Sequence, residues 1–78
     1  MVESFQIQTW IIAKVSELLG IERTRLDSST EFDDLGLDSI CRAGLLIEIE
    51  KQFKRSLDQD ALDEYPTIEM LSDYVAGE

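Results

Sequence analysis

Ser39 stands in the run Glu31-Phe32-Asp33-Asp34-Leu35-Gly36-Leu37-Asp38-Ser39-Ile40, where apolar residues alternate with acids until a glycine interrupts them and Asp38-Ser39 opens a new apolar pattern. Asp38 is a good helix N-cap, which puts Ser39 in the first helical turn with its hydroxyl turned outward. A phosphate carried on that hydroxyl would sit favourably near the positive end of the helix. On spacing alone two readings stand side by side. Asp38-Ser39 is a capping pair, or Ser39 is an acceptor that another protein modifies. A self-activating nucleophile is not a third. The chain contains no histidine, so the usual general base and the commonest zinc ligand are both missing, and neither a Ser-His nor a Cys-His pair can form. Cys41 lies about 200° around the helix from Ser39, too far to act with it, and reads as a small apolar filler.

The other chemistry-bearing residues are the loop acids. Asp27, Ser29, Glu31 and Asp33 alternate like calcium ligands. Phe32, however, stands where an EF-hand loop needs glycine, and Asp38 where it needs a bidentate Glu. Specific metal binding is not expected.

The whole chain sets limits on function. It has 78 residues, 17 acidic against 7 basic, and a net charge of −10. Such a balance repels nucleic acid and anionic membrane and favours partners with basic surfaces. No apolar stretch approaches 18 residues, so no membrane span is expected. No secretory signal is visible, and a single cysteine excludes an intrachain disulfide, which makes a reducing cytoplasm the expected location. Length and the lack of any repeat or linker give one small domain over residues 1–78, with room for a modest core but not for a deep cleft as well.

Helices must position Ser39. Ile7, Ile11, Val15 and Leu18, widened by Trp10, Ile12 and Leu19, keep helical spacing from Ser4 to Leu19, with Ser4 as N-cap and Gly20 as the C-terminal stop. Ile21 beyond the glycine can close the end on Val15. Glu22 to Asp38 reads as a long draped loop, hooked to the core by Leu26, Phe32, Leu35 and Leu37. A second helix runs from Asp38 or Ser39 to about Phe53, with Leu45, Leu46, Ile49 and Phe53 on its inner side. Ile40, Gly44, Ile47 and Lys51 face the other way with Glu48 beside them, an odd outer face, since isoleucine gains nothing from water and Gly44 weakens a helix by about 1 kcal/mol relative to alanine. Arg42 points to the core side, from where its stem can snorkel toward Asp33 or Asp34. Lys54-Arg55-Ser56 closes this helix with favourable positive charge. A single turn is expected around Asp60 to Glu64, Pro66 stops it, and Thr67 caps a last helix carrying Ile68, Leu71 and Val75. The expected fold is all-α: a four-helix bundle of three main helices and one short one, with a long loop between the first two.

Phe32 to Ile40 also resembles the phosphopantetheine attachment site of acyl carrier proteins, and the resemblance runs through nearly the whole chain. Leu18-Leu19-Gly20-Ile21 resembles the end of that family's first helix, Thr30-Glu31-Phe32 its loop anchor, and Tyr65-Pro66-Thr67-Ile68 the entry to its last helix. The resemblance implies that Ser39, preceded by Asp38, accepts 4′-phosphopantetheine from coenzyme A through a phosphopantetheinyl transferase that uses Mg²⁺. It implies a monomeric, non-catalytic shuttle whose new thiol, not Cys41, carries acyl groups as thioesters. It further implies that ketosynthase, acyltransferase and other acyl-processing enzymes dock on Ile40, Gly44, Ile47, Glu48 and Lys51. Positive charge at Arg42, Lys51, Lys54 and Arg55 departs from the more acidic second helix of fatty acid carriers. Asp-Ser-Ile and Tyr-Pro-Thr-Ile are more similar to carriers of polyketide or mixed polyketide–peptide assembly, and Leu37-Asp38 favours an acyl over an aminoacyl cargo. The alternatives are a peptidyl carrier, or an unmodified acidic helical domain that binds its partner directly.

Overall fold

The computed structural model describes residues 3–77. Its main elements are three amphipathic helices: α1 (Ser4–Leu19), α3 (Ser39–Phe53) and α5 (Ile68–Gly77). Two single-turn helices, α2 (Phe32–Leu35) and α4 (Ala61–Glu64), lie between them. The expected bundle therefore holds, with one correction: among the described residues there are two short helices rather than one. The long connection after α1 is also less bare than expected, since it contains a 3₁₀ turn at Arg23–Arg25 as well as α2.

The three long helices meet along their apolar stripes. Ile7, Ile11 and Val15 of α1, Leu45 and Ile49 of α3, and Ile68, Leu71 and Val75 of α5 are buried together. The only buried hydroxyl in α5, that of Ser72, donates to the Ile68 carbonyl one turn back at 2.7 Å, so no polar group is left unpaired there. Leu18 departs from the expected stripe: it is exposed, whereas Trp10 is half-buried at the core edge, its ring meeting that of Phe53 edge-on at 5.3 Å.

Helix ends explain the register. Glu3, not Ser4, caps α1, through a reciprocal pair in which Gln6 returns a side-chain acceptor to the Glu3 N–H. The Ser4 hydroxyl, one position too late to cap, donates instead to Asp73 on α5. At the other end Gly20 is left-handed, and the N–H groups of Gly20 and Ile21 both reach the Ser16 carbonyl, the closure expected from Gly20-Ile21. Thr67 caps α5 as expected, its hydroxyl accepting from the Met70 N–H at 3.1 Å.

The draped loop is fastened twice. Leu26, Phe32 and Leu37 are buried in the core, and Leu35 packs partly against it. The backbone is held as well: the Phe32 N–H donates to the Pro66 carbonyl at 2.8 Å, Glu31 pairs with Thr67, and the Glu69 N–H donates to the Ser28 carbonyl. Phe32, 1% exposed, is the largest fully buried side chain. Phe32→Ala removes an aromatic ring that nothing adjacent can replace, and is expected to lower unfolding free energy by about 3–5 kcal/mol in urea denaturation.

Candidate functional site

Ser39 is placed by three consecutive local decisions. Gly36 adopts φ 88° at the end of α2, a conformation that favours glycine, and this reverses the chain. Leu37 then drops into the core while its N–H returns to the Phe32 carbonyl. Asp38 follows in extended conformation and caps α3, its carboxylate accepting from the Cys41 N–H at 2.8 Å. Ser39 is the first helical residue and is exposed.

The hydrogen-bond inventory separates this hydroxyl from most others. Those of Ser4, Ser16, Ser29 and Ser72 are committed to Asp73, the Ile21 carbonyl, Asp27 and the Ile68 carbonyl. Among the described residues, no protein group accepts from or donates to the Ser39 hydroxyl. Cys41, half-buried one position beyond Ile40, is the competing nucleophile by sequence. Its thiol is pushed above the usual range because the Asp38 carboxylate accepts its S–H, with burial and the Asp38 charge adding to the effect. It therefore stays protonated and unreactive near neutral pH.

Beside Ser39 lies a cleft of about 220 Å³, walled by Arg42, Ala43 and Leu46 of α3 and by Gln59, Leu62 and Asp63 across from them. Ala43, Leu46 and Gln59 also border a larger depression of about 550 Å³ that extends toward Ile47 and Leu57. The two make a track along α3 that begins at Ser39. Neither Gln59 nor Asp63 was marked by sequence pattern. The short stretch around them carries no period long enough to show which way its side chains point.

Arg42 reaches Asp33, as its snorkelling stem suggests, and also Asp63, which nothing in the sequence indicated. Its Nη1 donates to Asp63 at 3.1 Å, its Nη2 pairs with Asp33, and its Nε donates to the Leu37 carbonyl at 3.2 Å. Asp33 is thus engaged by Arg42, and Asp27 accepts from both the hydroxyl and the N–H of Ser29, which hold its carboxyl below the usual range. Among the described residues no group of three or more Cys, Asp or Glu is arranged to hold a metal ion, and no helix is long and apolar enough to cross a membrane.

The outer face of α3 is open. Ile40 is 81% exposed and Ile47 50%, and Gly44, Glu48 and Lys51 are exposed with them. A side chain added at Gly44 would meet nothing within 4 Å, so the glycine answers no packing need inside the chain.

A capped helix start presenting one uncommitted serine, backed by a small helical bundle, is the architecture of a carrier domain. Residues 9–75 match the family model of the phosphopantetheine attachment site. The chain is 32% identical over 71 residues to the acyl carrier protein of Cyanidioschyzon merolae, covering 90% of this chain and 78% of that one. It is 40% identical over 55 residues to the non-reducing polyketide synthase adrD of Penicillium rubens, covering 70% of this chain but only 2% of that much longer protein. Among solved structures, a free-standing peptidyl carrier protein from Acinetobacter baumannii superposes with a TM-score of 0.91 at 27% identity, covering 96% of this chain and 94% of that one. The HMG-ACPI domain of the CurA module from Lyngbya majuscula does so with 0.87 at 29%, covering 96% and 76%. The chain belongs to the phosphopantetheine-binding acyl carrier family.

The residues present suit such a group: the serine is accessible, its neighbour Ala43 is small, and an open track leads away from it. When bound, phosphopantetheine supplies a terminal thiol that holds acyl groups as thioesters.

Asp38 sustains this geometry through its charge. The Cys41 backbone N–H, followed by the Cys41 side chain, keeps its carboxyl below the ordinary value near 3.8. A depressed carboxyl stabilises the fold above its unfolded pKa and loses that contribution as pH falls through the folded one. Asp38→Ala should therefore destabilise the protein more at pH 7 than at pH 2 in thermal unfolding, whereas Asp38→Asn, which still caps, should lose little at either.

Proposed function

We propose that Ser39 is the residue to which phosphopantetheine is joined, and that the protein shuttles acyl intermediates between enzymes of polyketide-type biosynthesis. One observation carries the first half: an exposed hydroxyl without a protein partner stands at the capped start of α3, beside a cleft, while the nearby thiol is held protonated. The chain has no histidine, and we assign the base that removes the serine proton to the transferase. Ser39 is a substrate there, and the domain's own contribution is to hold it still.

Docking is the second half. Ile40, Gly44, Ile47, Glu48 and Lys51 form the face on which a phosphopantetheinyl transferase and acyl-processing enzymes would settle, the isoleucines entering apolar pockets and the surrounding acids meeting basic rims. This gives the exposed isoleucines and the unneeded glycine of α3 a common cause. The polyketide assignment is supported by the adrD relative and by PksL of Bacillus subtilis, 30% identical over 66 residues and likewise matched over only 2% of its length. The peptidyl carrier neighbour has the same fold, while Leu37-Asp38 before the serine favours an acyl cargo.

Incubation with coenzyme A, Mg²⁺ and a broad-specificity transferase should add the mass of one phosphopantetheine to the wild type and none to Ser39→Ala; equal addition to both would overturn the assignment. Ile47→Asp should slow that loading roughly tenfold, equivalent to about 1.4 kcal/mol of docking energy, with unchanged helical circular dichroism. Loss of helicity instead would mark Ile47 as a core residue.

A further inference from the structure

Arg42 follows Ser39 by three residues, so the two share one side of α3, and both line the 220 Å³ cleft. Its guanidinium sits where α2, α3 and α4 converge, and it also borders a second hollow of about 150 Å³ formed with Glu31, Phe32, Asp33, Leu62, Asp63 and Pro66. Among the described residues it is the only cation lining either space. The acids Asp33, Asp38 and Asp63 surround the same corner of a chain whose net charge is −10. An anion fixed to Ser39 would therefore meet repulsion from every side but two: the start of α3 and Arg42. A guanidinium has five N–H donors. Three are in use, on Leu37, Asp33 and Asp63, which leaves one on each terminal nitrogen.

We infer that Arg42 is a positioning residue for the phosphodiester on Ser39, turning part of its hold from Asp63 toward a phosphate oxygen and so loosening α4 when the carrier is loaded. The inference rests on Ser39 being the attachment residue. Arginine favours such an exchange because its planar fork binds phosphate and carboxylate in the same geometry. The pair with Asp63 is also the more replaceable one, since Asp63 is exposed and sits on a helix of four residues. Weakening it would open the wall of the cleft opposite α3, on the side along which the arm must lie. The loop before Ser39 would stay fixed meanwhile, because Arg42 keeps its bond to the Leu37 carbonyl.

The test uses ¹⁵N-labelled protein before and after loading, with mass spectrometry first. Failure to load at Ser39 would remove the parent reading and is seen before any spectrum is recorded. In loaded wild type the Arg42 Nη–H resonances should shift, and the amides of Asp63, Glu64 and Tyr65, hydrogen-bonded within α4, should exchange roughly threefold faster or more. Arg42→Gln should displace the ³¹P resonance of the diester and abolish the loading-dependent change in exchange. Asp63→Asn, which retains Arg42, should show the faster exchange before loading and keep the wild-type ³¹P position. Unmoved Arg42 Nη–H resonances on loading, or a ³¹P resonance displaced as far by the control Arg55→Gln, would overturn the inference.

Discussion

The burial of Phe32 is the constraint from which the rest of the site follows. Its ring lies among the three long helices while its backbone N–H is bound to the turn that precedes α5. With that residue fixed on two sides, α2 has only one turn before Gly36 reverses the chain, and Leu37 is the next side chain able to reach the core. Asp38 is then placed to cap and Ser39 to begin α3. An exposed serine is thus placed by its buried neighbours Phe32 and Leu37. The hydrophobic effect does the locating, and polar bonds set the last few degrees.

Arg42 performs a second, electrostatic fastening at the same corner. It draws α2 and α4 to α3 through two carboxylates and holds the carbonyl of Leu37. Both acids are largely exposed, so each pair contributes little by itself. Their joint effect is geometric: they fix the guanidinium in place beside Ser39, where a freely moving lysine would be hydrated and diffuse. A chain of net charge −10 thus holds an ordered positive charge beside Ser39, where we propose that the phosphodiester is attached.

Much of this was legible in the residues. The three long helices, the hooks at Leu26, Phe32 and Leu37, the caps at Asp38 and Thr67 and the outward turn of Ile40 and Ile47 all follow from period and cap chemistry, because those signals extend over several turns. Short elements were less visible. The helix α2 has four residues, too few to show a period, and its one sequence mark is Gly36 placed directly after Leu35 as a C-terminal stop. The cap of α1 was misplaced by one residue because Ser4 is the commoner capping type, while the Glu3 and Gln6 spacing carried the decision. Asp63 was missed for a different reason. It meets Arg42 across 21 positions of chain, and a polar contact between separate elements leaves no pattern in either. Leu18 failed in the opposite sense, since a helical stripe shows which residues lie together but not how far round the neighbouring helix covers them.

The edge-on pair of Trp10 and Phe53 gives the molecule a built-in optical reference. Ser39 and Phe53 are the two ends of α3, fourteen residues apart, or about 21 Å at 1.5 Å per residue. The lone tryptophan therefore emits from the pole opposite the serine, with Lys14 over its ring at 5.4 Å. Its spectrum reports whether the bundle is closed and is shielded from events at the other pole. A chromophore tethered at Ser39 would lie within energy-transfer range of that indole, so the transfer efficiency would tell an arm lying back along α3 from one extended into water.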